Sequence, residues 1–246
     1  MDLVLVIHME LVFLNIKDKQ FLVTGYSSNI AQEAIDPYSK KNLIYGTFNQ
    51  NDPGPRLKNI KTSRLNLQNE DDVMDYIDSI KENLSKIVVV NFAAYKSDSL
   101  LVNQDLDTWN KSFSIGVSSN FLVAKYLLPI MIKNKWGRFI HISSERALRG
   151  SPGSSAYGAS KSALHGFSRS LAKEYARFGI TSNVLSLGYF DSGLYRKLDK
   201  SMQESFLESV PTKKLGTAED IYHAIEFLVL SEYTNGSVIT IDGCME

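Results

Sequence analysis

Tyr157 and Lys161 stand four residues apart in the helical stretch 155–178, so their side chains share one face. A free phenol keeps its proton up to a pH of ~10. A neighbouring ammonium favours the phenolate and is expected to bring that value down. The phenol then serves as proton donor and acceptor near neutral pH. Ser144 lies thirteen residues before Tyr157, just after the strand-like run 138–143. Its hydroxyl can hold a carbonyl oxygen and stabilise the negative charge that develops there. A Tyr and a Lys four apart are common by chance. A serine at a strand end, with Ser151-Pro152-Gly153-Ser154-Ser155 between, makes the three a set suited to moving a proton to or from a carbonyl.

A second place is Thr24-Gly25-Tyr26-Ser27-Ser28-Asn29-Ile30-Ala31, which joins a strand to a helix. Small, turn-tolerant residues let a backbone approach a pyrophosphate, and a helix amino end favours anions. With one glycine, the run reads equally as a plain strand–turn–helix. Asn29 with Gln32 three residues on suggests a capping box.

The elements that must position these residues alternate along the chain. Strand-like runs fall at 20–24, 43–48, 61–65, 87–91, 138–143, 182–186 and 237–242, with helical stretches between most of them. One long helix is expected over 106–133, and the helix from 30 to 35 stops near Pro37. Seven strands with intervening helices predict an α/β fold: a single Rossmann-like doubly wound domain with a seven-stranded parallel sheet and helices on both faces. Such sheets bind ligands beyond the carboxyl ends of their strands. Residues 1–14 read as an N-terminal extension or extra short strand, and 15–246 as the domain, with a substrate loop at about 190–210.

The 246 residues carry 27 Lys plus Arg and 27 Asp plus Glu, so no global field draws nucleic acid or anionic lipid. The apolar run 3–7 is too short for a membrane span or signal peptide. A cytoplasmic location is expected. A single cysteine, Cys244, excludes an internal disulfide, and the scattered His8, His141, His165 and His223 show no metal-ligand spacing.

Gly137-Arg138-Phe139-Ile140-His141-Ile142-Ser143-Ser144 and Tyr157-Gly158-Ala159-Ser160-Lys161-Ser162-Ala163-Leu164 resemble the short-chain dehydrogenase/reductase family, of the compact kind that includes 3-oxoacyl-carrier-protein reductases. Gly179 to Val184, Lys214-Leu215-Gly216, Gly236 and Asp242-Gly243 extend the resemblance over most of the chain. It implies an NAD(P)(H)-dependent oxidoreductase that interconverts a ketone and a secondary alcohol by hydride transfer. Ser144 would hold the carbonyl oxygen, Tyr157 would move the proton, and Lys161 would bind the nicotinamide ribose and tune Tyr157. Gly25, Ser27 and Ile30 would line the pyrophosphate and nearby ribose. Asn49 would stand at the end of the second strand, Asn66 and Leu67 beside the adenine, Asn91 and Ala93 after the fourth strand, and Gly188 and Ser192 near the nicotinamide amide. The partners implied are a small carbonyl or alcohol substrate and a homotetramer or homodimer packed through the two long helices.

Departures gather at cofactor and relay positions. Asn29 and Ala31 replace loop glycines, and Gly116 stands where the family places an active-site Asn, with Asn120 one turn later. A catalytically weak or silent cofactor-binding member is therefore the alternative. NADP(H) is favoured over NAD(H): the second strand ends without an acidic residue, and Arg56, Lys58, Lys61 and Arg64 follow. Leu194, Tyr195, Met202, Phe206 and Leu207 are candidates to line an apolar substrate pocket; Arg146 and Arg149 are candidates to meet an anionic one.

Overall fold

The computed structural model describes residues 16–54, 57–193 and 195–245; the expected 1–14 extension, Arg56 and Leu194 lie outside them. In chain order come β1 (Gln20–Thr24), α1 (Asn29–Ile35), β2 (Leu43–Phe48), β3 (Ile60–Arg64), α2 (Glu70–Ile80), β4 (Ile87–Asn91), α3 (Leu106–Phe113), α4 (Ser119–Asn134), β5 (Gly137–Ser144), α5 (Arg146–Arg149), α6 (Ser155–Tyr175), β6 (Ile180–Leu187), α7 (Lys200–Ser209), α8 (Ala218–Leu230) and β7 (Val238–Ile241). All seven strands run parallel, in the order β3-β2-β1-β4-β5-β6-β7. Strand order reverses between β1 and β4, so their carboxyl ends open the crevice where such sheets take ligands.

Alternation along the strands sends successive side chains to opposite faces. Phe21, Val23, Val88, Val90, Ile140 and Ile142 meet Ala34 and Ile35 of α1 and Ile221, Ile225 and Leu228 of α8. Leu22, Ile87, Val89 and Phe139 meet Val73 and Ile77 of α2, Leu127 and Met131 of α4, and Leu171 of α6. The central strands β4 and β5 are buried along their whole length, which accounts for the apolar run of β4 and leaves Arg138 and His141 of β5 buried within the domain.

The structure divides the expected long helix. Between α3 and α4, Ser114–Ser118 winds as a π turn with the buried Gly116 at its middle. Side chains satisfy the carbonyls of this wider turn: Ser119 Oγ donates to Ile115 O at 2.6 Å, and Asn120 Nδ2 donates to Gly116 O at 2.9 Å. The stretch Leu106–Asn134 is long and apolar enough by composition to cross a membrane, yet α4 is a core helix of this domain. At α1 the cap falls one residue earlier than expected. Ser28 holds the extended backbone and accepts from Ala31 N–H, so Asn29 is the first helical residue. Pro37 then forces the chain into the 3-10 turn Asp36–Lys40.

Candidate active site

Ser144 ends β5, so it lies at the carboxyl edge of the sheet in register with Leu187 of β6. Tyr157 and Lys161 occupy the first two turns of α6, which packs along β5 and β6. The Tyr157 hydroxyl is hydrogen-bonded to Ser144. Lys161 is 2% exposed, and its Nζ lies 5.8 Å from the Tyr157 ring centroid. Sheet and helix are fastened behind them: Ser143 Oγ donates to Lys161 O at 3.1 Å and lies 3.0 Å from His165 Nε2.

The electrostatics differ from the expected lowering of the phenol by Lys161. Burial pushes the Tyr157 hydroxyl above its ordinary value of 10.0, against the opposing pull of the Ser144 bond and the Arg146 charge. The reason is geometric. Lys161 Nζ donates to Ile142 O at 2.6 Å, so the ammonium is turned to a strand carbonyl. Burial also weakens that cation, bringing it from 10.5 down to about 8.

The turn after β1 is the segment that could hold a dinucleotide, and its backbone is closely packed. Gly25 holds φ +68°, and a Cβ there would come within 2.7 Å of Ala93 N. Only glycine combines that dihedral with that approach. Tyr26 is drawn under β2 by its N–H bond to Thr47 O at 3.0 Å and packs against Gly46. Ser27 and Ile30 remain half-buried, with Ser28 and Asn29 exposed, so small polar groups face the crevice. Gly193, the neighbour of Ser192, lies directly on the Asn29 side chain. Gly188 is fixed to the edge strand β7, its N–H donating to Ile241 O at 2.9 Å. Asn49 and Asn66 are exposed just beyond β2 and β3, and Leu67 packs on the core. Asn91 turns its side chain into the sheet, where Oδ1 accepts from Thr24 Oγ1 at 3.2 Å. Of the basic run, Arg64 alone among the described residues stands at a strand's carboxyl end, its Nε donating to Asn49 O at 2.9 Å. Lys61 lies back along β3 over the Tyr45 ring.

A family model described as enoyl-(acyl carrier protein) reductase matches residues 55–246. The chain belongs to the short-chain dehydrogenase/reductase family. Members of this family are NAD(P)-dependent oxidoreductases, and this chain is one of them. It is 32% identical over 241 residues to the 3-oxoacyl-(acyl-carrier-protein) reductase FabG of Buchnera aphidicola subsp. Acyrthosiphon pisum (strain APS), covering 94% of this chain and 99% of the relative. It is 30% identical to the FabG of Escherichia coli (strain K12), with the same coverage.

Within this short-chain reductase, several residues enter the site that sequence reasoning passed over or placed elsewhere. Arg146 and Arg149 do not face an open anion pocket. Arg146 pairs with Asp98 at 3.0 Å and Arg149 with Glu145 at 3.4 Å, and Arg149 Nη1 donates to Met245 O at 2.8 Å. Beneath the site, the row Thr24, Asn91 and His141 crosses β1, β4 and β5 in register. Two side-chain amides meet His141 Nδ1, Asn120 Oδ1 at 2.7 Å and Asn91 Nδ2 at 3.2 Å. His141 Nε2 lies 3.2 Å from Ser182 Oγ. Burial, reinforced by the charge of Lys161, holds this histidine neutral down to about pH 3. Thus Asn120, one turn past Gly116, supplies an amide to the π turn. In the segment 190–210, expected as a substrate loop, Phe206 packs on Tyr189 at 4.7 Å, Tyr195 donates to Gln203 O, and Met202 points into solvent.

Proposed function

We propose that the chain reduces the ketone of a 3-oxoacyl thioester to the secondary alcohol with NADP(H), Tyr157 delivering the proton. The observation that carries this reading is the meeting of the Ser144 and Tyr157 hydroxyls at the carboxyl edge of β5, beside the buried Lys161. Ser144 orients the carbonyl oxygen and shares in its developing charge. Tyr157 gives that oxygen its proton, and Lys161 would hold the ribose hydroxyls. Bound in the crevice, the nicotinamide supplies hydride to the carbonyl carbon. Gly25, Ser27 and Ile30 would hold the pyrophosphate side, Asn66 and Leu67 the adenine, Ala93 with the backbone at Asn91 the adjacent ribose, and Gly188 and Ser192 the amide. Arg64, at Asn49, is placed to meet a 2′-phosphate. The acyl class of the substrate is taken from that of the FabG relatives.

Fluorescence titration with NADPH and NADH, followed by turnover of 3-oxoacyl thioesters by the wild type and Tyr157→Phe, tests the reading. Expected are tighter NADPH binding, turnover, and its loss in Tyr157→Phe. Arg64→Gln is expected to weaken NADPH several-fold and leave NADH unchanged. Cofactor binding without turnover on any carbonyl would make the chain a silent member.

The oligomer is read onto the α4–α6 face. Phe121, 51% exposed, opens a groove lined by Leu128, Pro129, Phe167, Leu171 and Tyr175, with Lys125 and Glu174 beside them. An apolar groove that carries both charges suits a second copy related by two-fold symmetry. Light scattering should report a dimer or tetramer that Phe121→Glu dissociates.

A further inference from the structure

Behind Tyr157 and Lys161, buried polar groups form one continuous chain that begins and ends on α6. It leaves the helix at Ser168, whose Oγ lies 2.8 Å from Ser182 Oγ on β6. Ser182 Oγ lies 3.2 Å from His141 Nε2 on β5, and His141 Nδ1 lies 2.7 Å from Asn120 Oδ1 on α4. Asn120 Nδ2 donates to Gly116 O in the π turn at 2.9 Å. There the chain returns to α6. A Cβ on Gly116 would come within 3.2 Å of Ser160 Oγ, which itself donates to Tyr157 O at 2.8 Å. Ser160, Ser168, Ser182, His141 and Asn120 are each at most 2% exposed, so they depend on one another for hydrogen bonds. Ser160 and Ser168 lie about two helical turns apart and bracket Lys161. Lys161 is itself gripped by the two residues that follow His141 in β5. Its Nζ donates to Ile142 O at 2.6 Å, and its carbonyl accepts from Ser143 Oγ at 3.1 Å.

The donors along this chain follow from its Gly116 end. Gly116 O can only accept, so the Asn120 amide nitrogen faces it and the amide oxygen faces His141. That oxygen, 2.7 Å away, calls for a proton on Nδ1. Asn91 Nδ2 competes for the same nitrogen at 3.2 Å. The Asn91 amide, however, is paired with Thr24 Oγ1, a hydroxyl able to donate or accept, so it can present either end to the ring. The Asn120 amide cannot.

We propose that His141 is a positioning residue for Lys161: as the Nδ1–H tautomer it joins Ser168 to the π turn in a single run of hydrogen bonds that holds the first turns of α6 against β5. Ser168 donates to Ser182, Ser182 to Nε2, Nδ1 to Asn120 and Asn120 to Gly116 O. Bonds aligned in series strengthen one another, so a break at either end loosens the whole. The inference rests on the reading of Lys161 as the residue that meets the nicotinamide ribose.

Two measurements test it. Ring nitrogen correlation spectra of the wild type, with the His141 signal identified by its absence in His141→Gln, are expected to show Nδ1 protonated and Nε2 bare. A proton on Nε2 overturns the proposal. The second is a double-variant cycle read in NADPH affinity by fluorescence titration. Ser168 and Asn120 stand on different helices, joined through Ser182 and His141. Ser168→Ala is expected to weaken NADPH about three-fold, Asn120→Leu about ten-fold, and the pair together no more than Asn120→Leu alone. Two separate packing defects would instead multiply to about thirty-fold, which overturns the proposal. Turnover of 3-oxoacyl thioesters is followed in the same variants. Its absence throughout, with the coupled NADPH affinities and the Nδ1 proton intact, would end the reductase reading and leave this inference standing.

Discussion

Where the turn after β1 meets the start of the segment after β4, backbone meets backbone; around the turn after β5, side chain meets side chain. Gly25 rests on Ala93 and the Tyr26 N–H reaches Thr47 O, with side chains contributing mainly clearance. At the other end Ser144, Arg146, Glu145, Asp98, Ser154 and Arg149 are bound through their functional groups. The difference explains where this chain departs from its family. A site made by backbone tolerates Asn29 and Ala31, because the dihedral of Gly25 and the open surface survive. The end made by side chains carries Ser144, Tyr157 and Lys161, and there Asn120, one turn past Gly116, turns its amide to Gly116 O and to His141.

The sharpest way to break the comparison is to remove one functional group from each end. Tyr157→Phe should lower kcat by about 10²–10⁴-fold with NADPH affinity kept, measured by steady-state kinetics and titration. Gly25→Ala puts a methyl into Ala93 and forces a left-handed dihedral on an L residue. It should cost about 1–3 kcal/mol of stability and abolish tight NADPH binding, measured by denaturation and fluorescence.

His141 tests the polar row that joins the two ends. In the folded protein it stays neutral down to about pH 3, whereas the unfolded chain protonates it near 6.5. Between those values the unfolded chain holds the extra proton. Its stabilising contribution is therefore complete above pH 6.5 and falls by about 1.4 kcal/mol per pH unit below it. His141→Gln should flatten that slope in urea denaturation series at about pH 6 to 4. The smallest effect is expected at Ala31, fully buried in α1. Ala31→Gly should cost about 1 kcal/mol, from helix propensity.

The parallel sheet is legible in the sequence because short apolar runs such as Phe21–Val23 and Ile87–Val90 recur between helical stretches. Tyr157 and Lys161 are legible because both lie on one helix. The phenol's electrostatic surroundings are not, since Asp98 and Arg146 meet across 48 residues of chain. Nor is α5: Arg146–Arg149 is one turn with neither amphipathic period nor side-chain cap. The π turn escapes for a related reason. Hydrophobic spacing over 106–133 fits a single helix, and the carbonyl partners that widen it are set by Ser119 and Asn120.

That wide turn also stores one residue of slack. A π turn winds more residues into each revolution than an α turn, so the extra residue is taken up within Ser114–Ser118 and the faces of α3 and α4 keep their phase. Excising one residue from Ser114–Ser118 would restore regular winding there and leave Leu127 and Met131 of α4 facing the core, so the change stays local to the turn.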